Sequence, residues 1–293
     1  MGNKPKGVVR KLMPAQTRCL RVVAGAYRAT PVRNLETETW IPPLDLYLNT
    51  QVAQFERRLQ NSRAGKLIQQ SGAAVARILR QRRGRPPKLT EGKYRDEVTL
   101  ATWAEMWAPG DTSPKAAADQ AWRLRWQGEY ERARGKRPTR CEQAADEPLF
   151  TKDALRKHRG LYKAESSVLT QARTGKIGLK DFLFKQHVPE VASPLCTCWR
   201  TERETVEHLV LWCGNVDRQR RTWLQEQAQP LCTGRDLVAA LQCPRRAKLI
   251  AKWVPSTGRL REYKLAVEVL KEENREKVQG EAYSTCRSTR QLT

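Results

Sequence analysis

A chain of 293 residues has room for about two domains, but its composition favours a modest core. Hydrophobic residues make up 39% and charged residues 29%, and 55 Lys or Arg against 31 Asp or Glu leave a net charge of +24. This excess predicts a polyanionic partner, and a nucleic acid is favoured over a membrane because no apolar run approaches the roughly 18 residues of a spanning helix.

Residues 1–60 are predicted to form a helical segment with two helices. The first ends before Pro31, and the second begins at Pro42 and Pro43, because proline at the first helical position gives up only an amide that has no partner there. The apolar stripe of the first helix is predicted at Cys19, Leu20, Val22, Val23, Ala26 and Tyr27. The apolar face of the second is predicted at Leu44, Leu48, Val52, Phe55 and Leu59.

Residues 61–95 are predicted to be a basic linker, since they combine glycines and paired prolines with many cations. The letters RGRP at 83–86 match the core of an AT-hook, in which an extended strand presses two arginines into a narrow A·T minor groove. A plain charged linker or a nuclear-import signal is the alternative. The predicted nucleic-acid contacts in this linker are Arg80, Arg82, Arg83, Gly84, Arg85 and Lys88.

Residues 96–165 are predicted to be a helical connector, interrupted at Pro109-Gly110 and restarting after Ser113-Pro114. A further helical stretch runs from Asp153 to Arg173 and stops at Gly175. The tryptophan pairs of the connector are spaced to share a helix face, and packing is favoured over base stacking at this spacing. These pairs are Trp103 with Trp107 and Trp122 with Trp126.

Residues 166–230 are predicted to hold a helical lead-in and a Cys/His module, CTCWRTERETVEHLVLWC. One residue separates Cys196 from Cys198, nine separate Cys198 from His208, and four separate His208 from Cys213. Three thiolates and one imidazole can close a tetrahedron around Zn²⁺, which predicts a structural zinc-knuckle-like site. Reduced thiols on a half-buried turn are the alternative. Thr201 to Glu204 is predicted to cap the helix that carries His208.

Residues 231–293 are predicted to form C-terminal helices and a disordered tail, with helical stretches at 218–227, 235–241 and 259–278 on either side of its beginning. No stretch of the chain keeps a period of two, so the sheet content should be small. The predicted fold class is mostly α, with short helical segments joined by basic linkers and a small Cys/His zinc-knuckle-like module.

The stretch TRCLRVVAGAYRATPVRNLETETWIPPLDLYLN resembles the segment that follows the polymerase domain in fungal Tad-like non-LTR retrotransposon reverse transcriptases. A second stretch, ESSVLTQARTGKIGLKDFLFKQHVPEV, together with the Cys/His cluster is similar to the C-terminal zinc-knuckle region of the same polyproteins. The two stretches cover about a third of the chain. The resemblance implies that residues 1–60 are a thumb-like segment after the polymerase, and that a glycine usually stands where this chain has Trp199.

The resemblance implies a non-catalytic C-terminal fragment that holds RNA or DNA during target-primed reverse transcription. Two-metal nucleotidyl transfer needs clustered carboxylates, and the sequence contains no Asp-Asp pair. Endonuclease and ribonuclease H carboxylates are also expected to be missing, so we expect no enzyme activity. A stand-alone AT-hook-like DNA-binding protein and a decayed remnant without function are the alternatives.

The expected ligands are one structural Zn²⁺ and a nucleic acid, with no membrane and no small-molecule substrate. No signal peptide is visible, so we expect an intracellular protein in the nucleus or in a cytoplasmic ribonucleoprotein. In such a reducing compartment the eight cysteines are expected to be thiols or metal ligands rather than disulfides.

Overall fold

The computed structural model describes residues 8–60, 62–67, 70–71, 108, 110, 112–134, 153–199, 201–222, 237–266, 268–269 and 272. These residues are mostly helical and contain no strand, which confirms the predicted fold class. Their β pairing is a single antiparallel bridge between Leu195 and Arg203. No helix among the described residues is long and apolar enough to cross a membrane.

The described chain divides into two compact units, and the predicted five-segment division stays a prediction. The first unit comprises Met1–Gln16 and Pro42–Glu131. Its ion pair joins both carboxylate oxygens of Asp45 to the guanidinium of Arg125 at 2.8 and 2.5 Å. The helices that lie wholly or partly in this unit are α1 (Val8–Ala24), α3 (Leu44–Gln60) and α4 (Pro114–Arg134).

The second unit comprises Thr17–Ile41 and Arg132–Thr293 and holds the larger described core. Helix α6 packs on α10, and α9 and α5 also pack on α10. The central side chains of this core include Val168, Leu169, Ile250 and Trp253, all at or near zero exposure. The helices of this unit are α2 (Val32–Thr39), α5 (Asp153–His158), α6 (Lys163–Thr174), α7 (Lys180–Lys185), α8 (Asp217–Arg220), α9 (Leu237–Gln242) and α10 (Pro244–Ser256).

The predicted apolar faces of the two N-terminal helices are partly wrong. On α1, Val22 and Val23 are exposed, and burial falls on Leu20 and Ala24. On α3, Val52 and Phe55 are exposed, whereas Leu46, Ala53 and three polar side chains are buried. The spacing rule identified helices but chose the wrong face, because it ranks side chains by hydropathy and ignores polar groups that are hydrogen-bonded when buried. The three polar side chains are Asp45, Thr50 and Glu56.

A buried ion pair joins two helices of the second unit. Glu38, near the end of α2, has a side chain only 2% exposed and accepts from Arg173 of α6 at 2.8 and 2.9 Å. Arg173 also donates to the Leu241 carbonyl at 2.7 Å, and His158 Nε2 lies 3.3 Å from Glu38 Oε2. Both charges therefore have partners in the interior, as buried charges require.

Candidate metal centre

A short two-chain ribbon presents the first two cysteines. The Cys196 N–H donates to the Glu202 carbonyl at 2.8 Å, and the Glu204 N–H donates to the Pro194 carbonyl at 2.9 Å, on either side of the Leu195–Arg203 bridge. The ribbon turns where the Thr201 N–H donates to the Cys198 carbonyl at 3.1 Å. Cys196 and Cys198 are two residues apart, so this turn must bend sharply to bring both sulfurs to one point.

A π-helical turn, His208–Trp212, presents the other two ligand candidates. Residues five apart on an α-helix point about 140° away from each other, so His208 and Cys213 could not share a face of a regular α-helix. In this turn the Cys213 N–H donates to the His208 carbonyl at 2.7 Å, an i to i+5 bond that widens the helix. The wider turn places both side chains at one site.

The cap of this turn differs from the predicted one. Thr205 Oγ1 accepts from the His208 N–H at 3.1 Å, so Thr205 is the capping residue. Thr201 instead has a left-handed backbone with φ 48°, and Glu204 points into the core. The predicted Thr201–Glu204 capping box is therefore wrong, because the ribbon uses these residues before the helix begins.

The four candidate ligand atoms form a cluster of tetrahedral size. All four lie within 4.8 Å of one another, with 3.7 Å between the Cys196 and Cys213 sulfurs and 3.3 Å between the Cys198 sulfur and His208 Nε2. Around a tetrahedral Zn²⁺ the ligand bond lengths give about 3.8 Å between two sulfurs and about 3.6 Å between sulfur and nitrogen. The observed separations fit a metal ion at the centre of the cluster.

All four side chains are buried, with exposures of 4%, 3%, 3% and 0% for Cys196, Cys198, His208 and Cys213. Burial, with a further contribution from the adjacent Cys213 and Cys198 thiols, raises the pKa of the Cys196 thiol to about 12. Packed thiols without a cation would therefore stay protonated. A divalent cation reverses this preference, since a coordinating thiol is deprotonated outright. Four protein ligands close the coordination shell, which is typical of a structural site.

A carboxylate outside the cluster orients the imidazole. Glu202 Oε2 lies 2.9 Å from His208 Nδ1, on the opposite side of the ring from Nε2. A carboxylate at Nδ1 holds the proton there and leaves Nε2 with a lone pair for a metal. The sequence analysis missed this role, although an acidic residue six positions before the histidine is visible in the chain.

We predict that Glu202→Gln weakens zinc affinity by about 10-fold, because loss of such a partner typically costs 10- to 100-fold and glutamine keeps an acceptor. Competition with a chromophoric chelator at neutral pH measures this affinity. Glu190→Gln is the matched control, since Glu190 is an exposed acid and the change in net charge is the same. Equal affinities for the two variants would contradict the role of Glu202.

A second carboxylate fixes the ribbon to the rest of the second unit. Glu204 is 3% exposed, and it accepts from the Lys180 N–H at the start of α7 at 3.2 Å and from the Arg259 guanidinium at 3.1 Å. The Glu204 carbonyl also accepts from the Asp181 N–H at 3.4 Å. The metal cluster is thus part of the core of this unit, which includes three of the ligand residues: Cys196, Cys198 and Cys213.

Trp199, which stands where the resembled family has glycine, does not disturb the turn. Glycine is needed where φ is positive, and the left-handed residue of this turn is Thr201 rather than Trp199. The indole extends outward and is 75% exposed. It lies against Gly214, where an added Cβ would be 2.3 Å from the indole Nε1.

The other predicted site residues fall into two groups. Trp122 and Trp126 are 2% and 7% exposed, so packing is confirmed for this pair. His187 is exposed, while His158 is partly buried between Ser166 and Glu38. The residues that lie outside the described part of the chain are Arg80, Arg82, Arg83, Gly84, Arg85, Lys88, Trp103 and Trp107.

Comparison with known proteins finds no match to a family model, to a curated protein or to a solved structure. The resemblance to Tad-like reverse transcriptases therefore stays a prediction. The metal cluster rests on its own geometry.

Proposed function

We propose that the chain binds one Zn²⁺ through Cys196, Cys198, His208 and Cys213, and that this zinc-stabilised module belongs to a non-catalytic nucleic-acid-binding protein. The observation that supports zinc is the buried four-atom cluster, with spacings that match Zn–S and Zn–N bond lengths. Three soft thiolates favour zinc over the hard cations Mg²⁺ and Ca²⁺.

The net charge of +24 supports a polyanionic partner. With the resemblance to Tad-like reverse transcriptases, we propose the C-terminal part of such a polyprotein, which holds RNA or DNA during target-primed reverse transcription in the nucleus. The phosphate contacts proposed for it are Arg80, Arg82, Arg83, Arg85 and Lys88, with Gly84 allowing close approach to the groove.

The test is binding of the purified full chain, loaded with zinc, to labelled single-stranded RNA, single-stranded DNA and duplex DNA between 50 and 200 mM salt. Each phosphate neutralised on a duplex should add about 0.9 to the slope of log affinity against log salt. We expect affinity to fall steeply over this range. No binding at 50 mM salt, or binding that salt leaves unchanged, would overturn the proposal.

A second candidate function is a stand-alone DNA-binding protein that uses the RGRP letters at 83–86. An AT-hook occupies the minor groove, so a minor-groove ligand such as netropsin should displace the chain from A·T-rich duplex DNA. Binding through phosphates alone should be largely indifferent to netropsin. Strong competition would favour this second candidate.

A further inference from the structure

The surface of the metal module carries a large aromatic side chain that packing in the second unit does not account for. Trp199 is 75% exposed, whereas Trp253 in the same unit is fully buried. An exposed tryptophan is expensive, because its rings would gain more than most side chains from burial. Trp199 also follows directly on the ligand candidate Cys198, so its backbone is fixed by the metal cluster.

Gly214 fixes the position of this indole from the other side. The nearest indole atoms, Nε1 and Cδ1, would lie 2.3 and 2.8 Å from a Cβ at position 214, so the ring rests against a surface that any larger residue would fill. Gly214 follows Cys213, a second ligand candidate. Two metal-anchored segments therefore hold one exposed ring, which reduces the entropy lost when a ligand binds to it.

The charge around this ring suits a base better than a phosphate. Residues 190–222 contain five Lys or Arg and five Asp or Glu, although the whole chain carries +24. Two of these arginines are paired within the module, Arg203 with Asp181 at 2.5 Å and Arg221 with Asp217 at 2.5 Å. The excess cations that would bind phosphates thus lie elsewhere in the chain. An aromatic face in a neutral setting can stack on a base of any identity.

We propose that Trp199 is a stacking platform for an unpaired base of single-stranded RNA or DNA, positioned by Gly214. This inference rests on the proposed nucleic-acid binding. It adds a division of labour, in which distant cations bind the phosphates and the metal module distinguishes unpaired from paired strands.

The test compares Trp199→Ala and Trp199→Phe with the wild type in the zinc-loaded full chain. Binding to labelled oligo(U), oligo(dT) and a duplex is measured across a salt series. Stacking is worth enough per base that alanine should weaken single-strand binding by about 5- to 150-fold, while phenylalanine retains most of it. Duplex affinity and the salt slope should not change, because no cation is removed. Oligo(U) against oligo(dT) distinguishes RNA from DNA.

Gly214→Ala provides an independent variant, since Gly214 has an ordinary negative φ and alanine affects only the ring position. It should weaken single-strand binding in the wild type but have no further effect beside Trp199→Ala, as expected for two changes that act on one contact. Phe55→Ala, which removes an exposed aromatic from the first unit, is the control. Bound zinc is measured for every variant to verify an intact module.

Three results would overturn the inference. One is a Trp199→Ala variant that binds single strands as the wild type does, and another is an equal loss on single strands and duplex. The third is a wild-type chain that captures a protein ligand through Trp199 but shows no preference for single strands. Failure of the wild type to bind any nucleic acid would overturn the proposed function as well, which separates the two cases.

Discussion

Replacing Cys213 by Ser is expected to abolish stoichiometric zinc binding and to unfold the ribbon and the π-helical turn. Serine offers a poor neutral oxygen in place of a thiolate, and three remaining ligands leave the metal shell open. Zinc binding to small structural sites contributes on the order of 10 kcal/mol to folding, which is comparable to the whole stability of a domain. Cys213 is also fully buried in the core of the second unit, so the loss extends beyond the metal.

Zinc content and thermal unfolding, measured with and without EDTA, check this expectation. EDTA should lower the melting temperature of the wild type to that of Cys213→Ser and should not affect the variant further. Cys19→Ser is the control, since Cys19 is exposed and lies far from the cluster in sequence. A wild-type melting temperature that EDTA does not change would contradict a structural metal and favour packed, reduced thiols.

The sequence identified the ligand set of this site but not the backbone that assembles it. Cysteine and histidine are recognisable because so few other roles need that combination at short spacing. The π-helical turn was not predictable, because the letters HLVLW are equally compatible with an α-helix. The same limit applies to Thr201, which precedes a glutamate at the spacing of a capping box but is held by the ribbon in a left-handed conformation.

Helices were predicted well where proline or glycine marks their ends. Pro114 begins α4, and Gly175 ends α6 with a left-handed φ of 66°. Helix α2 was missed, because VRNLETET has no apolar stripe, yet five of its residues are buried. Polar helices of this kind are stabilised by hydrogen bonds and ion pairs from other elements, and those partners are distant in sequence. The missed buried residues are Asn34, Leu35, Glu36, Thr37 and Glu38.

Removing the partner of one of these residues should have the second-largest effect. Arg173→Met is expected to destabilise the second unit by about 3–5 kcal/mol, the usual cost of leaving a buried charge without its partner. Methionine retains much of the arginine volume, so the loss is electrostatic: Glu38 loses its bidentate cation and the Leu241 carbonyl loses a donor. Denaturant unfolding measures the change.

Two further variants separate charge from packing. Glu38→Gln removes the buried charge, so the double variant with Arg173→Met should lose less stability than the two single losses added together. Arg159→Met is the matched control, because Arg159 is exposed and loses the same charge. A double variant whose loss equals the sum would contradict a direct interaction between Glu38 and Arg173.

The same pair predicts how the stability of the second unit depends on pH. Burial by itself raises the pKa of Glu38, but Arg173 and, more weakly, His158 lower it from an ordinary 4.5 to about 2. A carboxylate whose pKa is lower in the folded state stabilises that state above its unfolded pKa, and this contribution is lost as the pH falls through the folded value. The window is therefore about 4.5 down to 2, with on the order of 3 kcal/mol involved. Unfolding of the wild type should become easier across this window, and Glu38→Gln should flatten the dependence, because glutamine binds no proton in either state.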